Sequence, residues 1–172
     1  KAIVDKISRD AVKRESLITV SAELRHLSVF QHMKDEQVFR LSKFVRMQGN
    51  AESEYLFHAD DRSIDFYVVK EWRVAIRKET PFGPQILARI SADTILGEMN
   101  FIDRTHRSTD AIAIAPSTCY VFSFSALDQM MDDDKEMAVA LHWAFWGSLS
   151  EKVRDANDQL KLFFQEDARR GQ

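Results

Sequence analysis

From Phe44 to Phe124 the chain is a succession of short runs rich in Val, Ile, Phe and Tyr, separated by polar clusters of the kind that make turns. The runs are Phe44–Met47, Tyr55–His58, Phe66–Val69, Trp72–Ile76, Gln85–Ile90, Ala111–Ala115 and Cys119–Phe124. Parallel βαβ units need a helix of about 10 to 15 residues between strands. All the gaps between these runs but 91–110 are too short for one, so the spacing predicts an all-β sandwich or barrel. Pro81, Gly83 and Pro84 mark one hairpin loop, and Pro116-Ser117 marks another.

Helical patterns flank this region. Ile3, Ile7 and Ala11, with Val4 and Val12 beside them, recur at three- and four-residue spacings and predict a short amphipathic helix. A second helical stretch is expected from about Ala22 to Phe44, with Asp35 placed to cap its second half. Helix resumes at Ser125, where Ser125-Ala-Leu-Asp128 has the form of a capping box, and Asp132 to Asp134 suit the start of another helix. From there to about Glu166 there is no Pro and one Gly, Gly147. Val139, His142, Trp146, Leu149, Val153, Ala156, Leu160 and Phe163 form a heptad seam broken by His142. A helix of ~30 residues is ~45 Å long, more than a small domain needs. Its far end is expected to meet a second copy, giving a homodimer, or another domain.

The 172 residues suit one globular domain with a sizeable core. Lys plus Arg is 24 against 27 for Asp plus Glu, a net charge of −3, which lacks the basic footprint of a protein that binds nucleic acid directly. The single cysteine, Cys119, excludes an internal disulfide and a multi-cysteine metal site, and fits a reducing, cytoplasmic setting. No window is apolar for long enough to span a membrane. The chain begins with Lys1 rather than Met, which leaves room for an output domain in a longer chain.

The segment Ile95-Leu-Gly-Glu-Met-Asn-Phe-Ile-Asp-Arg-Thr-His-Arg-Ser-Thr109 carries the chemistry. Gly97 permits close backbone approach, and Glu98 to Ile102 fit one helical turn whose free N–H groups suit an anion. Arg107 offers a planar bidentate fork to the same anion, and Ser108 a hydroxyl and an N–H. Glu98 repels a phosphate, yet it can accept a hydrogen bond from a sugar hydroxyl. A small ligand carrying one phosphate charge and a ribose explains Glu98 and Arg107 together.

Gly97-Glu98-Met99, followed nine residues after the Glu by Arg107-Ser108, resembles the phosphate-binding cassette of cyclic nucleotide-binding domains, the family of the catabolite activator protein and the regulatory subunits of cyclic-AMP-dependent kinase. The resemblance covers roughly Leu24 to Phe163. It implies an α+β, mainly β fold: an eight-stranded jelly-roll β-barrel, with N-terminal helices before it and B and C helices after it. Residues 1–21 are then a helical extension and 22–172 the binding domain, with the β-roll at about 44–124 and the C-terminal helices at about 125–166. The ligand-binding residues implied are Gly97, Glu98, Met99, Arg107, Ser108 and Thr109, with Glu98 on the ribose and Arg107 and Ser108 on the phosphate. The ligand implied is cyclic AMP ahead of cyclic GMP, with no further cofactor and no metal.

The chain departs from the family in several places. Where members have glycines in the turns before and after the third strand, it has Ala59-Asp60 and Lys70-Glu71. His106 replaces a proline, and Asp110 stands where a small or apolar residue is usual; pointing inward, it would place an acid near the phosphate. Trp143, Phe145 and Trp146 lie where the family often caps the purine, although aromatic residues at helical spacing more often pack in a core or seam. The scattered histidines and the absence of a nucleophile motif leave no enzymatic constellation, so the reading is a non-enzyme. The expected function is a cyclic nucleotide sensor that transmits occupancy through its C-terminal helix. The alternative is a degenerate jelly roll kept as a dimerisation module.

Overall fold

A computed structural model describes the backbone of residues 2–71 and 73–170, with side chains over 14–71 and 73–165. The side chains of Ile3, Val4, Ile7, Ala11 and Val12, and all of Trp72, lie outside the described residues. Helix α1 spans Ala2–Arg25 without a break. The expected second helix is divided: a 3₁₀ turn at Ser28–Phe30, helix α2 at Asp35–Leu41 and a further 3₁₀ turn at Ser42–Phe44. Leaving the helix at His26 lets Phe30 and Met33 turn into the core, where both are buried. Asp35 is the first residue of α2 and not its cap; Gln37 Oε1 accepts from the Lys34 N–H at 2.8 Å.

Eight strands follow: β1 Val45–Asn50, β2 Tyr55–Phe57, β3 Phe66–Glu71, β4 Val74–Thr80, β5 Gly83–Ile90, β6 Ile95–Leu96, β7 Asp110–Ala113 and β8 Ser117–Phe122. They pair as two four-stranded antiparallel sheets of order β1-β8-β3-β6 and β2-β7-β4-β5, a sandwich in which no hydrogen-bonded ladder closes the sheets into one barrel. Helix α3 (Glu98–Asp103) lies between β6 and β7, and α4 (Phe124–Asp133) and α5 (Lys135–Arg170) complete the chain. β6 has only two residues, held by pairing Ile95 with Val68 and Leu96 with Tyr67. That is too short a run to show a period.

The first sheet is covered on both faces. Tyr67, Val69, Cys119 and Val121 point between the sheets against Leu56, Phe57, Val74, Ala111 and Ala113. Phe66, Val68, Tyr120 and Phe122 point the other way, against Leu24, Phe30, Leu127, Leu141 and Phe145 of the helices. This is why Phe66–Val69 reads as a continuous apolar run instead of an alternating one. Burial pushes the Cys119 thiol up to about 11, leaving it a small buried apolar group.

Helix starts are satisfied by groups the local pattern does not reveal. Ser123, not Ser125, precedes α4, and the Phe124 N–H donates to Asp65 Oδ1 at 2.9 Å, from a segment remote in sequence. Asp128 pairs instead with Arg104 at 2.9 Å. Asp134 does cap α5, its Oδ1 accepting from the Met137 N–H at 3.0 Å. Among the described residues no helix is long and apolar enough to cross a membrane.

Phe66 centres the aromatic packing, with ring centroids 4.5 Å from Phe122, 5.0 Å from Phe145 and 5.2 Å from Phe101. Phe66→Ala is expected to cost about 3–5 kcal/mol in urea unfolding, read as a lower midpoint at unchanged slope.

Candidate functional site

The turn between β6 and α3 has a backbone that only a glycine adopts without strain: Gly97 has φ +80°. A Cβ there would lie 2.2 Å from Arg107 Nη1 and 3.1 Å from the Asp65 carbonyl oxygen. The missing side chain is the space through which the guanidinium passes.

Arg107 is 1% exposed. Its Nη1 donates to the Gly97 carbonyl and to Asn100 Oδ1, each at 3.2 Å, and its Nη2 donates to the Asp65 carbonyl. The guanidinium lies 4.3 Å from the Phe57 ring centroid and 5.9 Å from that of Tyr67. Its Nε is buried without a partner. Among the described residues it forms no ion pair, so this charge is held by neutral oxygens and aromatic faces alone. Burial accordingly lowers its pKa, against the distant pull of neighbouring acids.

Glu98, the first residue of α3, is also buried. Its Oε1 pairs with Lys152 Nζ of α5, and the same ammonium donates to the Ile95 carbonyl at 2.7 Å. Asn100 fixes the loop after α3 by donating to the Thr105 and His106 carbonyls. His106 is exposed, so the position where the family has a proline carries a side chain directed to solvent.

A cavity of about 350 Å³ opens over this turn. Gly97, Glu98, Met99, Ser108 and Thr109 of the expected site line it, together with Asn100, Phe57 and, from α5, Lys152, Asp155, Ala156 and Gln159. Arg107 does not line it. Gly97 and Phe57 both touch the guanidinium and face the cavity, which sets Arg107 one layer behind the wall.

The C-helix aromatics are not at this cavity. Phe145 is fully buried in the aromatic core, and Trp143 and Trp146 are each 65% exposed, closer to the start of α5. The residues of α5 that reach the cavity begin at Lys152, a position that sequence reasoning missed. A signal for it exists: the buried positions Met137, Leu141, Ala144 and Ser148 advance by three and four, and the next step of four lands on Lys152. The expected seam lies on another face of the helix, where Val139, Trp146, Val153, Leu160 and Phe163 are more than half exposed.

Asp110 is buried, but it does not line the cavity. Its Oδ1 accepts from the Ala59 N–H at 2.8 Å, and its Oδ2 faces Arg77 Nη2 at 3.0 Å. Asp60 takes φ +66°, the conformation a glycine would supply, and its N–H donates to the Arg107 carbonyl at 2.8 Å. Asp110 thus braces the turn that lacks the family's glycine. Burial alone would raise the Asp110 carboxyl, but the Ala59 N–H and Arg77 outweigh it and hold it below the usual range. A depressed native pKa stabilises the fold above the unfolded value of about 4, and that contribution is lost as the pH falls through the native value. Asp110→Asn is expected to cost about 1–3 kcal/mol at pH 7 and to flatten the loss of stability below pH ~4, measured by thermal melting across pH.

Among curated proteins none matches the chain. Solved structures with this fold include a cyclic nucleotide-binding domain from Methylobacillus flagellatus KT, 21% identical, which covers 84% of this chain and 82% of that one with a TM-score of 0.73. The N-terminal domain of a transcriptional regulator from Streptomyces coelicolor A3(2) is 25% identical over 80% of this chain and 94% of its own, with a TM-score of 0.64. The regulatory domain of Toxoplasma gondii PKA, solved with cAMP, is 16% identical over 85% of this chain and 52% of its own, with a TM-score of 0.67. Residues 51–134 match the family model of the cyclic nucleotide-binding domain, from β2 through the cassette to the end of α4. Through that segment the chain is similar to the cyclic nucleotide-binding domain family.

Proposed function

We propose that this chain is a cyclic nucleotide sensor, with cyclic AMP ahead of cyclic GMP as its ligand, and that occupancy is transmitted through α5. The observation that carries the reading is the buried guanidinium of Arg107, which has only neutral oxygen partners and lies one layer from a cavity of nucleotide-compatible character. A charge held without a countercharge is costly in a low-dielectric site. A cyclic phosphate supplies that countercharge, and the guanidinium exchanges carbonyl acceptors for an anionic one that binds its fork bidentately.

In this mechanism the phosphate enters over Gly97, where no side chain blocks the backbone, and Ser108 and Thr109 face it from the strand side. Glu98 accepts the ribose 2′-hydroxyl. The base lies toward Ala156 and Gln159 of α5, so the helix closes on a ligand whose other end is held by α3. The exposed Met99 and Ile102 of α3 are the apolar contacts that shift as the cassette tightens. Ligand drives the change because it binds one arrangement of α3 and α5 better than the other. No bond is broken.

Titration calorimetry with cyclic AMP and cyclic GMP tests the reading. Heat of binding with a micromolar dissociation constant is expected, and silence up to millimolar ligand rejects it. Arg107→Ala, checked for folding by its melting curve, is expected to lose about 2–5 kcal/mol of affinity.

The second reading, a dimerisation module with an unused pocket, is favoured by the fact that Glu98 and Arg107 both already have protein partners. The two readings share one surface: the exposed stripe of α5 that includes Val139, Trp146, Val153 and Leu160 suits the same stripe of a second copy. Light scattering is expected to give twice the 19.9 kDa chain mass, and a monomer at high concentration argues against the dimer.

A further inference from the structure

Glu98 is the group that the sensor reading assigns to the sugar, and in the ligand-free protein it is taken. Lys152 reaches it from α5, about halfway along that helix, and anchors its ammonium a second time on the Ile95 carbonyl. The carboxylate is almost wholly buried while the lysine is only partly so, with side-chain exposures of 2% and 32%. The lysine comes to the acid, therefore, and both lie in the wall of the same cavity. Among the described residues Lys152 is the only ion-pair partner of Glu98 and the only ion pair joining α3 to α5.

We infer that Lys152 is a built-in competitor for the ribose position: it occupies Glu98 in the absence of nucleotide, clamps α5 to the cassette, and must be displaced before a sugar hydroxyl can bind. The inference rests on the proposed role of Glu98. An ammonium and a sugar hydroxyl are both donors and want the same acceptor, but the ammonium is charged and pairs more strongly with a carboxylate than a neutral hydroxyl does. Affinity for the nucleotide is thereby reduced by the free energy of the clamp. Release of Lys152 exchanges its contact with the Ile95–Glu98 turn for closure of α5 over the ligand, so ligand entry and helix movement are one event.

The test compares the wild-type chain with Lys152→Met, which keeps the length of the side chain without its charge, and with Lys152→Gln, which keeps a polar donor should the methionine variant fold poorly. In ligand-free protein, amide exchange over residues 98–103 and 148–160 is expected to quicken in Lys152→Met. Glu98→Gln should quicken the same amides, and the double variant should add little to either single change, since both break one contact. In titrations with cyclic AMP, Lys152→Met is expected to bind about tenfold more tightly than wild type, with Lys152→Gln between them. Unchanged exchange overturns the clamp. Unchanged or weaker cyclic AMP binding by Lys152→Met, with wild type still binding, overturns the competitor role and leaves the sensor reading intact. If neither protein takes cyclic AMP or cyclic GMP, the sensor reading fails and the competitor role fails with it.

Discussion

A single buried cation organises the cassette. Arg107 ties together the carbonyl of Asp65 before β3, the carbonyl of Gly97 and the side chain of Asn100 in α3. Two segments, the chain before β3 and the Gly97–Asn100 start of α3, are thus fixed to one guanidinium. The arrangement depends on Gly97 twice: its left-handed backbone starts α3, and its lack of a Cβ leaves room for Nη1. Asn100 then extends the network to the carbonyls at 105 and 106, so the loop that presents Ser108 and Thr109 is set by the same centre.

The aromatic core joins this centre to the helices. Phe101 of α3 meets Phe145 of α5 at 5.3 Å and Phe124 of α4 at 5.1 Å, and Phe66 lies against both Phe101 and Phe145. Arg104, at the end of α3, covers the Phe124 ring and pairs with Asp128 of α4. The cassette helix is packed to both C-terminal helices through side chains that interlock, and close packing allows few intermediate positions.

Much of this was legible in the sequence, for reasons that can be named. Strands with an apolar run of four or more residues, such as Phe66–Val69, announced themselves, and so did the cassette, because Gly97, Glu98, Arg107 and Ser108 make sense together. β6 did not, since two residues carry no period. The start of α4 was misread because its orphan N–H is satisfied by Asp65, which no local pattern includes. Asp110 looked like a threat to the phosphate, yet it replaces a missing glycine's service by bracing the Ala59–Asp60 turn, a role defined only by tertiary contact. The position of Arg107 behind the wall was equally closed to sequence reasoning, which identifies a charged fork but not the direction in which it points.

Helix α5 runs from Lys135 to Arg170 without interruption, and only its first part lies on the core. At 1.5 Å per residue it is ~54 Å long, with ~33 Å beyond Ser148, its last fully buried contact. A rod held at one end is a lever. A tilt of ~10° at the packed end would carry the far end through ~6 Å, about one helical turn of travel. The far end of α5 thus lies several turns beyond the cavity that Lys152, Ala156 and Gln159 help to line.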